Sequence, residues 1–182
     1  MTQRGAWTLT VVALVGLLSL GSVVATAAVR GHLGAAARLS IATCGPSHPR
    51  GTVVHVTLSD RGGTMMGGAN AMMVSVDVSP STVSGGTVTF VATNIGALNH
   101  ELLILPAPRD GVGTRPVGID GKINESASLG EASRSCARGV GSGITPGTSS
   151  WVTLHLERGA YEVICDEPWH YANGMFQTLT VR

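Results

Sequence analysis

The chain has 182 residues, enough for one ordinary domain and a targeting segment but not comfortably for two domains. Charged residues make up 13% and aromatics 4%, while glycine supplies 25 positions, a balance that suits a turn-rich all-β domain better than a charged helical bundle. A formal net charge of +1, with no Lys/Arg cluster and no strip of mixed aromatic and basic residues, excludes the electrostatic footprint of a nucleic-acid binder.

The run from Ala6 to Val29 carries no charged side chain and follows Arg4. It is long enough to cross a bilayer as a helix, and Ala25-Thr26-Ala27 also offers the small-x-small pattern of a cleavage site. Residues 1–29 are therefore expected to form an N-terminal hydrophobic helix, serving as a membrane anchor or as a cleaved signal peptide. Either role makes the rest of the chain extracytoplasmic, tethered to the membrane or secreted, where thiols can be oxidised. Residues 30–51 are rich in Ala, Gly, Pro and Ser without sustained periodicity and are expected to be a linker, leaving residues 52–182 as the folded domain.

Val53 to Leu58 is β-branched and alternating, and Met73 to Val78 alternates apolar with polar until Ser79-Pro80 stops it, so both are predicted strands. A third strand, Thr87 to Ala92, follows the turn Ser84-Gly85-Gly86 and ends at Asn94-Ile95-Gly96. A fourth runs from His100 to Leu105 and is stopped by Pro106. Pro106 to Ser150 is polar, rich in Gly and Ser, and too long to be a bare loop in a compact domain. A short helix over Asn124 to Arg134 is compatible with Ala127, Leu129, Glu131 and Ala132, although Gly130 weakens it. Strands resume at Trp151 to Leu156, Tyr161 to Cys165 and Phe176 to Val181. About seven short strands separated by turns predict an all-β fold, a Greek-key β-sandwich.

Three cysteines follow the leader: Cys44, Cys136 and Cys165. An odd count in an oxidising compartment implies one pair and one thiol with another task. Cys165 sits in the sharpest motif of the chain, so Cys44 and Cys136 are paired by elimination, although three pairings are formally possible.

That motif is Cys165-Asp166-Glu167-Pro168-Trp169-His170-Tyr171-Ala172-Asn173-Gly174-Met175, a loop between two predicted strands that presents a thiol, an imidazole and a thioether. Far upstream, His100 opens another strand. A copper ion that shuttles between Cu(I) and Cu(II) needs a thiolate and two imidazoles in a near-trigonal plane with a weak axial thioether, and Cys165, His100, His170 and Met175 supply that set. Each residue has a plainer role open to it, as a surface histidine, a small core cysteine or a gap-filling methionine. It is their joint spacing at strand ends that points to a metal.

The Cys-x4-His-x4-Met spacing, the single His in Leu98-Asn99-His100-Glu101-Leu102-Leu103-Ile104-Leu105, and the preceding Val88-Thr89-Phe90-Val91-Ala92-Thr93-Asn94 resemble the cupredoxins, and the ligand loop is most similar to the sulfocyanin, rusticyanin and auracyanin kind. The resemblance covers roughly residues 73 to 182 and matches least over Pro106 to Ser150. It implies that His100 and His170 bind one copper ion through imidazole, Cys165 through thiolate and Met175 axially. It also implies one-electron transfer. Redox proteins at or near the membrane are the expected partners, the carrier is expected to be a monomer, and the lack of a catalytic motif argues against an enzyme. Plastocyanin-like members commonly carry Asn after the first His, whereas Glu101 follows here and Asn99 precedes. That leaves open whether Asn99 or a backbone amide ties the two ligand segments together.

Met65, Met66, Met72 and Met73 form a second cluster whose thioethers suit Cu(I), so a copper storage or delivery protein is an alternative; packing over the sandwich or an apolar docking surface is the favoured explanation of the same methionines. His32, His48, His55 and His155 lie in linker or alternating-strand positions and are assigned no metal. Gly141-Ser142-Gly143 falls short of a nucleophile elbow, and Asp166 and Glu167 are adjacent carboxylates expected to shape the surface charge around the site.

Overall fold

The computed structural model describes residues 44–61 and 73–182. The leader and the Met65, Met66 and Met72 positions lie outside the described residues, and so does the expected N-terminal helix. Among the described residues no helix is long and apolar enough to cross a membrane.

Among the described residues nine strands form in chain order: β1 (Thr52–Arg61), β2 (Met73–Ser79), β3 (Thr82–Val83), β4 (Gly86–Asn94), β5 (Leu102–Pro106), β6 (Gly130–Ala132), β7 (Ser149–Leu156), β8 (Gly159–Ile164) and β9 (Phe176–Val181). Alternation builds the first layer. Val54, Val56 and Leu58 of β1, Val76 and Val78 of β2, and Val88, Phe90 and Ala92 of β4 point to one side and are buried. The order in that sheet is β2-β1-β4-β7, and in the second it is β3-β9-β8-β5-β6. Both sheets are mixed: β1 runs parallel to β4 and β3 parallel to β9, while the other pairs are antiparallel. The two layers share one core, in which Val54, Phe90 and Leu156 of the first sheet meet Leu102, Ile104, Val163 and Leu179 of the second.

β5 breaks the alternation because it is covered on both faces. Leu102 and Ile104 enter the shared core, whereas Leu103 and Leu105 pack outward with Ile123, Ile164 and Tyr171. The cover on that outer face includes Ile123, from the long excursion after Pro106. The helix predicted over Asn124 to Arg134 is not formed. Asn124 caps a single 3-10 turn, Glu125–Ala127, and the chain then extends into β6, which pairs with β5 through Leu102↔Ala132. Gly130, the residue that weakened the helix, is packed so tightly that a Cβ there would lie 2.6 Å from Leu154 Cδ2.

Cys44 and Cys136 are joined in a disulfide that closes 92 residues of sequence separation and ties the excursion to the start of the domain. Cys165 is free and buried. On a chain-entropy account a bridge of that span stabilises the fold by about 4.6 kcal/mol.

Candidate metal centre

Two segments at one end of the sandwich carry the candidate ligands. The first is the 95–100 turn between β4 and β5. Asn94 organises it: the side-chain amide donates to the carbonyls of Leu98 and Ile144, each at 2.7 Å, and its Oδ1 accepts from Gly96 N at 2.8 Å. His100 is held by backbone bonds with Ile144 in an isolated bridge, so it stands two residues before the strand that it was expected to open. The second segment is the hairpin between β8 and β9, closed by Cys165 N donating to Met175 O at 3.1 Å. Within it Met175 N donates to His170 O at 3.1 Å, and Gly174, at φ +92°, turns the chain after the 3-10 turn Tyr171–Asn173. Trp169 also takes a left-handed backbone, φ +69°, steadied by its N–H donating to Gly121 O at 2.8 Å.

These elements bring three side chains into contact. His100 Nδ1 lies 3.2 Å from His170 Nδ1, and Cys165 Sγ lies 3.3 Å from His170 Nδ1 and 3.7 Å from His100 Nδ1. All three residues are buried, and Met175 is fully buried in the same core cluster as Cys165. His170 is only 4% exposed, while its neighbour Trp169 is 51% exposed.

Two groups stand beside the ligands, and of these Asp60 had no sequence signal. Glu101 contributes its backbone N–H, which donates to Cys165 Sγ at 3.3 Å, so the tie between the ligand segments is a main-chain amide; Asn99 is exposed. Asp60, near the end of β1, places Oδ1 2.9 Å from His100 Nε2 and also accepts from Ala97 N and Leu98 N. Burial works against the ionised Asp60, but the Leu98, His100 and Ala97 bonds outweigh it and hold the carboxyl below its ordinary range.

The electrostatics favour ligation at neutral pH. Burial, and then the facing His100, pushes His170 down to about 4, and burial lowers His100 as well despite Asp60, so both imidazoles are neutral and keep lone pairs. Burial pushes the Cys165 thiol up to about 12, against the pull of the Glu101 and Glu167 amides, so a metal ion binding there displaces a proton.

Three donor atoms therefore converge out of water. Bonds of about 2.0 Å to nitrogen and 2.3 Å to sulfur put donors in a trigonal plane roughly 3.5–3.8 Å apart, within about half an ångström of the separations found. Thiolate, two imidazoles and a thioether are the soft and borderline set that suits copper. The residues present fit such an ion.

Asp166 departs from expectation: it is buried, not a surface charge. Its Oδ1 accepts from Ile123 N at 2.8 Å, and its Oδ2 has no hydrogen-bond partner among the described residues. Carboxylate oxygens of Asp166, Glu101 and Glu125 lie within 4.8 Å of one another, and Lys122 Nζ sits 3.3 Å from Glu101 and 4.0 Å from Glu125. Burial raises Asp166 and Glu101 each to about 7. Of the methionine cluster, Met73 is described; it opens β2 and is partly exposed.

No family model matches the sequence, and no curated protein matches it. Among solved structures, reduced auracyanin from the photosynthetic bacterium Roseiflexus castenholzii is 18% identical with a TM-score of 0.45, covering 74% of this chain and 99% of that one. Auracyanin A, a "blue" copper protein from Chloroflexus aurantiacus, is 20% identical over 71% of this chain and 99% of its own, with a TM-score of 0.44. Rusticyanin from Thiobacillus ferrooxidans is 22% identical over 73% of this chain and 79% of its own, with a TM-score of 0.39.

Proposed function

We propose that the chain is an extracytoplasmic type 1 copper protein that carries single electrons, with His100, Cys165 and His170 as equatorial ligands and Met175 as the axial one. The observation that carries this is the convergence of two Nδ1 atoms and one Sγ, 3.2 to 3.7 Å apart and sealed from solvent. Lone pairs crowded at those distances repel unless protons or a cation are shared among them. A copper ion bound there would supply a one-electron Cu(II)/Cu(I) couple.

The chain's own residues do the rest. The Asn94-ordered turn and the Cys165–Met175 hairpin each fix their ligands by backbone bonds, so the donors need little rearrangement when the ion's charge changes. Burial excludes water from competing for the ion. Trp169, exposed beside His170, marks the face through which a redox protein would be met. Residues 1–29 act as signal or anchor, residues 30–51 as linker and residues 52–182 as the carrier domain.

Redox cycling tests this. Copper-loaded protein is expected to take up one electron per copper, bleach, and regain its colour on reoxidation with copper retained. Release of copper on reduction, or no electron uptake, contradicts a carrier and favours storage or delivery.

A further inference from the structure

We propose that Asp60 is a positioning residue for the centre: it locks His100 in the tautomer that presents a bare Nδ1 to the metal, and its charge lowers the reduction potential. The proposal deepens the copper reading and rests on it for the potential alone.

Asp60 is brought to the site by topology. β1 runs parallel to β4 with Leu58 opposite Asn94, and Ile95 N donates to Leu58 O at 2.9 Å, so the chain two residues further on lies under the 95–100 turn. There Oδ1 receives two main-chain N–H groups, from Ala97 and Leu98, and faces His100 Nε2, each at 2.9 Å. An oxygen that accepts from two main-chain amides carries no proton to give, so the Asp60–His100 bond requires the hydrogen on Nε2. The lone pair is then left on Nδ1, the atom that faces Cys165 and His170. The side chains are 4% and 0% exposed, so water does little to screen the carboxylate. Gly96 leaves room for it: a Cβ there would fall 2.0 Å from Asp60 Oδ1. A carboxylate behind a metal-bound imidazole raises the basicity of the ring and favours the more highly charged ion, which is Cu(II) over Cu(I).

Two variants separate positioning from charge. Asp60→Asn keeps an Oδ1 for the three donors and removes the charge; Asp60→Ala removes both. In copper-loaded Asp60→Asn the thiolate-to-copper absorption is expected to persist while the Cu(I)/Cu(II) balance shifts at least tenfold toward Cu(I), a rise of about 59 mV for a one-electron couple. In the metal-free chain, ring 15N chemical shifts should place the His100 proton on Nε2 and show a mixture of tautomers in Asp60→Ala. The nitrogen shifts need no copper, so their failure is distinguishable from failure of the copper reading. An unchanged potential in Asp60→Asn overturns the electrostatic role. A proton on Nδ1 in the parent chain, or an unchanged tautomer in Asp60→Ala, overturns the positioning role.

Discussion

Glu101 shows how one residue joins the site to the stability of the fold. Its amide serves the Cys165 sulfur, while its side chain is buried and paired with Lys122 at 3.3 Å. Burial first, opposed by Lys122, raises the carboxyl to about 7 from an ordinary 4.5. The folded state thus holds its proton more tightly than the unfolded chain. The stabilisation is complete below pH 4.5 and is lost as pH rises through about 7. Glu101→Gln should remove that dependence in the metal-free protein. Relative to the parent, thermal denaturation should favour the variant by on the order of 3 kcal/mol more at pH 8 than at pH 4. Parallel curves for the two proteins would contradict this. At the same scale the grouping of His100, Cys165 and His170 was legible in the sequence, because Cys165 and His170 share one loop and His100 ends a turn. Asp60 was not: nothing in Leu58-Ser59-Asp60 hints that a parallel β1–β4 pairing sets it beside His100.

Among the elements, the strands with clear alternation were legible to within a few residues. β3 and β6 were not, since they have two and three residues and owe their form to the strands they pair with. The expected Asn124–Arg134 helix lost to the same effect, as Leu129 N donates to Ile104 O and β6 joins β5. The excursion is anchored by a buried polar knot. Glu162 of β8 accepts from Gly113 N at 2.7 Å, Arg115 Nε at 2.5 Å and Tyr171 OH at 2.8 Å, and Arg115 N donates to the Tyr171 oxygen at 3.1 Å. Tyr171 follows His170 directly, so this knot also steadies the ligand loop. Tyr171→Phe strips an acceptor from Arg115 N and a donor from Glu162, and should lower stability by about 1–3 kcal/mol in denaturant unfolding. An unchanged midpoint would show that the knot is not coupled to folding.

At the scale of the molecule, a two-sheet core, an excursion covering its outer face and a long-range disulfide frame the cluster of His100, Cys165 and His170. The all-β class and the disulfide pairing followed from composition and cysteine arithmetic. The mixed pairing of both sheets did not, because alternation reports which side of a strand is buried and is silent on its neighbour's direction. The central claim is that the donors converge on one copper through the Cys165 sulfur. Its most direct test is addition of Cu(II) to the purified chain and to Cys165→Ser, followed by visible absorption and electron paramagnetic resonance. One copper per chain with intense thiolate-to-copper absorption, abolished in Cys165→Ser, is the predicted result. No copper uptake, or the same spectrum from both proteins, would contradict it.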